Sequence, residues 1–145
     1  MDTAFPPSLE VAFDASVRYG PDNATPQSGS LGYVVRGATP LFECSRSVGA
    51  VVSNTALEYR ALLEAVAAVD RAFDRVASLH VRGDADAVLR ACDPADGMEP
   101  NGRVERRRVA RIRDHVADIP DVTYRSVPSP HNERAHALAS AGHDR

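Results

Sequence analysis

The stretch 57-LEYRALLEAVAAVDRAF-73 decides how this chain is built. Strong helix formers fill it, and its apolar residues recur at helical spacing rather than in alternation. Ser53, Asn54 and Thr55 precede it as capping candidates. Upstream, the period drops to two. LEVAF (9–13) puts Leu9, Val11 and Phe13 on one side of a strand. LGYVVRG (31–37) and PLFECSRSV (40–48) read as two further strands joined by a tight turn near Gly37. Between the first two strands, RYGPDNATPQSGS (18–30) is full of turn formers and reads as a long hairpin loop. Neighbours linked in this way form a three-stranded antiparallel meander ahead of the helix.

Downstream, SLHVRG (78–83) is a short strand, followed by a helix from about Asp84 to Ala91 and a loop, DPADGMEPNG (93–102). An arginine-rich helix, a last strand DVTYRSV (121–127), a PSP loop and a helix NERAHALASA (132–141) complete the order. The pattern β-β-β-α-β-α-α-β-α implies an α/β domain. Its sheet is mixed and five-stranded, three antiparallel strands plus two parallel ones, flanked by helices. No repeat, linker or low-complexity segment divides residues 1–145, and the core spans about 9–142.

The composition is that of a globular protein, 43% hydrophobic with a net charge of −3. No apolar run is long enough to cross a bilayer and no leader pattern is present, so no membrane contact, a cytoplasmic location and a monomeric state are the expectations. Cys44 and Cys92 form no metal-ligand pattern and read as reduced bystanders. All 17 basic residues are arginine, which suits a GC-rich genome or a salt-adapted proteome. Six of them fall in 103-RVERRRVARIRDHVADI-119, where Val109, Ile112, Val116 and Ile119 share one face and most arginines lie opposite. That is the pattern of a solvated amphipathic helix or of a ridge that tracks phosphates.

Three acids interrupt apolar patterns. Glu58 shares a helix face with Leu62, Ala65 and Val69. Burying a lone carboxylate there costs on the order of several kcal/mol unless it is paired or holds a metal. Thr55-x-x-Glu58 also matches a capping box. Asp14 follows Leu9-Val11-Phe13 at or just past the end of the first strand. Asp84 stands at a strand-to-helix junction, where it could cap the helix, and ligands collect in that zone of open sheets. Brought together, three carboxylates would repel one another and call for divalent cations, magnesium first.

The element order, together with SNTALEY (53–59), RGDADAVL (82–89) and VPSPHNERAHALA (127–139), resembles type 1 ribonuclease H across nearly the whole chain. The resemblance implies an RNase H-like fold and hydrolysis of the RNA strand of RNA–DNA hybrids, independent of sequence. It implies that Asp14, Glu58 and Asp84 are catalytic and hold two divalent ions, Mg2+ or Mn2+. Ser53, Asn54 and Thr55, with Ala15, would meet the hybrid's backbone and minor groove, where 2′-hydroxyls distinguish RNA from DNA. Departures are Ala15 for the family's Gly, Thr55 for its second Asn, Ala85 for its Ser, and His136 for its fourth active-site Asp. His136 is therefore expected as a replacement catalytic and metal-binding residue. Its imidazole favours manganese, cobalt or zinc more than a carboxylate does and can hold a metal-bound water or shuttle a proton. The alternative function is a module that binds hybrid or double-stranded RNA with weak or no catalysis. A third keeps the fold with another substrate, as in a DNA exonuclease or junction resolvase. His131, His115 and His143 read as surface, and His80 as part of its strand.

Overall fold

The computed structural model describes residues 5–49 and 53–144. Its elements are β1 (Ser8–Tyr19), β2 (Pro26–Arg36), β3 (Pro40–Val48), α1 (Asn54–Ala72), β4 (Ser78–Gly83), α2 (Asp86–Cys92), α3 (Arg103–His115), β5 (Asp121–Ser126) and α4 (Glu133–Ala141). The sheet order is β3-β2-β1-β4-β5. β1–β2 and β2–β3 pair antiparallel, while β4 lies parallel to both β1 and β5. This is the expected mixed sheet. None of the described helices is long and apolar enough to cross a membrane.

Alternation along the central strands divides the core between the two faces of the sheet. Val11, Phe13, Leu31, Tyr33 and Val35 join the buried residues of α1, α2 and α3 in the main cluster. Ala12 and Val34 point the other way and pack with Ala135 and Leu138 of α4. The face under α4 is built from small residues because the helix backbone comes very close. A Cβ placed on Gly32 would lie 2.5 Å from the Ala139 nitrogen and 2.8 Å from the Ala135 carbonyl oxygen.

The first hairpin differs from the sequence expectation. Residues 18–30 are mostly strand, and only Gly20–Thr25 form the turn, with Asn23 at a φ of 58°. Ser28, Gly29 and Ser30 look like loop residues, but the end of the chain covers them. His143 bonds the hydroxyls of Ser28 (2.6 Å) and Ser16 (2.8 Å), so it is a fastening residue rather than a surface one. Burial lowers its pKa. His115 bonds Asp70 at 2.9 Å, and His80 bonds Thr123 at 2.6 Å across β4 and β5. His131 is exposed, and both cysteines are free thiols.

Two arginines of the basic helix serve the fold itself. Arg108 donates to the Ala56 carbonyl (2.6 Å), tying α3 to the start of α1, and Arg113 donates to the Ala91 and Cys92 carbonyls at the end of α2. At the end of α2 the Arg113 guanidinium satisfies carbonyls that lack an intrahelical partner.

Gly32→Ala is expected to destabilise the fold by about 1–3 kcal/mol, because the added methyl meets helix backbone that cannot move aside. Gly49→Ala, with no atom of the described residues within 4 Å of its Cβ position, should change little. Urea midpoints of the two variants check the contrast.

Candidate active site

The parallel register assembles the site. The ladder between β1 and β4 ends at the pair Ala12–Arg82. Asp14 and Asp84 each lie two residues beyond it, Asp14 within β1 and Asp84 just past the end of the adjacent, parallel β4. Asp14 is therefore not at the end of its strand, as expected from sequence. β1 continues to Tyr19 against β2, and what ends near Asp14 is its pairing with β4. Gly83 allows the approach, since a Cβ there would stand 2.8 Å from the Phe13 ring.

Glu58 arrives from α1. Ser53 is the N-cap, its hydroxyl oxygen accepting from the Ala56 N–H at 3.0 Å. The third helical position is thus Ala56, which rules out a capping box between Thr55 and Glu58. Glu58 is instead 5% exposed and directed at Asp14, itself 4% exposed. Asp84 caps no helix either: α2 starts two residues later with Ala85 at its cap and no side-chain cap bond. Its Oδ2 accepts from the Ser129 hydroxyl at 2.9 Å.

Oxygens of Asp14, Glu58 and Asp84 lie within 4.8 Å of one another. Burial, then the charges of Asp14 and Asp84, push the Glu58 carboxyl up to about 9. Asp14 is raised as well, by burial and by Asp84, against the lowering effect of its bond to His136. Without a cation the cluster relieves its repulsion by keeping a proton on Glu58, shared with Asp14. The donor set fits hard divalent ions: three carboxylates, two of them buried, with no arginine among the described residues that line their cleft.

His136 sits one helical turn after Asn132. The Asn132 amide donates to the Phe13 carbonyl at 2.9 Å and is 2% exposed, so the start of α4 is pinned beside Asp14. His136 Nδ1 lies 2.9 Å from Asp14 Oδ2, and its side chain is 65% exposed. It stands at the mouth, bound to one acid, outside the group of three mutually close donors.

A cleft of about 380 Å³ contains the acids together with Ala15, Asn54, Thr55, Ser129 and His136. Ser53 is not among its lining residues; it acts through the cap. Ala15 donates its N–H to the Asp14 carboxylate at 2.9 Å. Sequence reasoning missed Ser129 and Asp86, which also line this cleft. A serine between two prolines carries no signal of its role, and Asp86 reads as an ordinary first-turn acid.

Protonated Glu58 links the site to stability. The folded state holds a proton that the unfolded chain, with an ordinary value of 4.5, has lost. Its stabilising contribution is full below pH 4.5 and disappears as pH rises towards about 9. In chelator, the melting temperature of the wild type relative to Glu58→Gln should fall across that window. Magnesium or manganese should restore more stability at pH 8 than at pH 5. Parallel profiles for the two proteins would contradict the assignment.

The wider comparisons agree with the geometry. No protein-family model and no curated protein matches this chain. Among solved structures, RNase H1 from the halophilic archaeon Halobacterium salinarum NRC-1 is 27% identical, covering 94% of this chain and 98% of its own, with a TM-score of 0.78. LC11-RNase H1, isolated from compost by a metagenomic approach and solved with an RNA/DNA hybrid, is 20% identical over 94% and 97%, TM-score 0.78. The N-terminal RNase H domain of a Mycobacterium tuberculosis protein is 21% identical over 94% and 95%, TM-score 0.74. Strand order and solved neighbours show that this chain has an RNase H-like fold, similar in structure to the type 1 ribonucleases H.

Proposed function

We propose that this protein is a divalent-metal-dependent endoribonuclease that hydrolyses the RNA strand of RNA–DNA hybrids without regard to sequence. The observation that carries the reading is the convergence of Asp14, Glu58 and Asp84 within 4.8 Å, in one cleft with Asn54, Thr55 and Ala15. Support comes from the fold, shared with a halophilic RNase H1 and with LC11-RNase H1, whose structure contains an RNA/DNA hybrid.

Asp14, Glu58 and Asp84 would hold two Mg2+ or Mn2+ ions. Bound there, such ions supply Lewis-acid stabilisation of the phosphodiester and a water of lowered pKa. The remaining roles belong to the chain. Glu58 releases its proton when the cluster is loaded. Ser129 fixes Asp84 through Oδ2. Asn54 and Thr55 offer amide and hydroxyl groups to 2′-hydroxyls along a minor groove, the Ala15 backbone closes the wall, and Ser53 sets where the helix begins. With Asp14 ionised, His136 donates Nδ1–H to Oδ2; as an imidazolium it also carries a proton on Nε2, which can pass to the leaving oxygen.

The position of His136 also favours the second reading, a hybrid-binding module with weak catalysis. One carboxylate fewer surrounds the outer metal position, and the imidazole is already bonded to Asp14. A labelled hybrid incubated with magnesium, manganese or chelator separates the two. Cleavage with either ion supports the enzyme; tight binding without cleavage supports the module; the absence of both overturns the shared claim that hybrid is the ligand.

Asp84→Asn should reduce cleavage to background while keeping hybrid affinity within a few-fold, since phosphate contacts are untouched. His136→Asp should raise the magnesium-supported rate and narrow the manganese preference, as measured by initial rates with each ion. A fall in both rates would show that the site has adapted to imidazole.

A further inference from the structure

Three arginines outside the catalytic cleft, Arg60, Arg71 and Arg111, gather on the outer side of α1. A cleft of about 390 Å³ there is lined by Tyr33, Arg60, Leu63, Glu64, Arg71 and Arg111, among others. Arg60 and Arg71 lie on one stripe of α1 with Glu64 between them, and Arg111 reaches in from α3. Arg46 of β3 also belongs to this patch, bonded with Arg60 to the same Glu64 carboxylate. Four guanidinium groups thus surround one carboxylate, a local excess of three positive charges on a protein whose net charge is −3. Arg71 and Arg111 are exposed, and neither has a carboxylate partner among the described residues.

The geometry points to a second nucleic-acid contact, in which Arg60, Arg71 and Arg111 grip the phosphodiester backbone of a strand that extends beyond the catalytic cleft. Guanidinium groups bind phosphate oxygens in bidentate fashion, and several in a groove select a polyanion over a single charge. Leu63 and Ala67 give the groove an apolar floor against which a sugar can rest. Arg71 is thirteen residues after Glu58, which is about 20 Å along the helix. At about 3.4 Å per nucleotide, a strand leaving the cleft covers that distance in about six nucleotides. This contact goes beyond the proposed cleavage: the groove holds nucleic acid whether or not the cleft cuts it.

The test measures equilibrium binding of the full chain in chelator, over a range of salt concentrations. Probes are a short blunt hybrid, the same hybrid with a single-stranded tail of about ten nucleotides, and inorganic tripolyphosphate as competitor. Arg71→Gln/Arg111→Gln should weaken the tailed hybrid several-fold and lower its salt slope by about 1.4, each of the two lost single-strand phosphate contacts counting about 0.7. Affinity for the blunt hybrid, its cleavage with manganese and the melting temperature should stay as in the wild type. An Arg18→Gln/Arg125→Gln control, removing equal charge elsewhere, should leave the slope nearly unchanged. Tailed-hybrid binding equal to wild type overturns the inference, as does an equal loss for blunt and tailed probes. Loss of tripolyphosphate binding alone also overturns it, since the groove would then serve free oligophosphates. Absence of cleavage by the wild type counts against the proposed function and leaves the tail comparison standing.

Discussion

Three carboxyl groups held within 4.8 Å, two of them almost wholly buried, cannot all be charged unless something positive lies among them. That constraint organises the rest of the structure. Desolvation and mutual repulsion favour a proton on the cluster, and the divalent ion proposed above would remove the need for it. A fold selected for stability alone would place an apolar residue at Glu58, which sits on the same helix face as Leu62 and Val69. Retaining an acid there sacrifices stability at a single point, the pattern expected where chemistry rather than packing sets the residue.

The scaffold delivers the acids by register more than by loops. Two parallel strands whose pairing stops at Ala12 and Arg82 bring Asp14 and Asp84 side by side. α1, begun by Ser53, carries Glu58 to them, and α4, pinned through Asn132 to the Phe13 carbonyl, brings His136. Close approach is achieved by omission of side chains. Gly32 lets α4 settle on β2, and Gly83 lets the Phe13 ring lie where a Cβ would collide. Asp14, Glu58 and His136 thus stand within a strand or a helix, and Asp84 directly after β4.

Much of this was legible in the sequence because periodicity is local. The switch from alternating Leu9-Val11-Phe13 to the helical run after Leu57 gave the element order, and the misplaced acids pointed to the site. What failed was long-range. Ser28-Gly29-Ser30 have the composition of a loop, yet they are strand because His143 and Gly142 return to cover them, a contact over a hundred residues away in sequence. Asp14 was read as a strand end since only the sheet order shows that one neighbour stops while the other continues. Thr55-x-x-Glu58 imitates a capping box, and a shift of two residues in the true cap separates the two readings. Ser129 shows nothing in sequence because its importance lies entirely in its partner, Asp84.

The central claim is that these acids exchange a shared proton for a divalent cation. Calorimetric titration of manganese into the wild-type protein at pH 7, repeated in buffers of different ionisation enthalpy, measures that exchange. The account requires binding accompanied by release of about one proton, with the proton component absent in Glu58→Gln. Binding with no buffer dependence, or no binding at all, would contradict it.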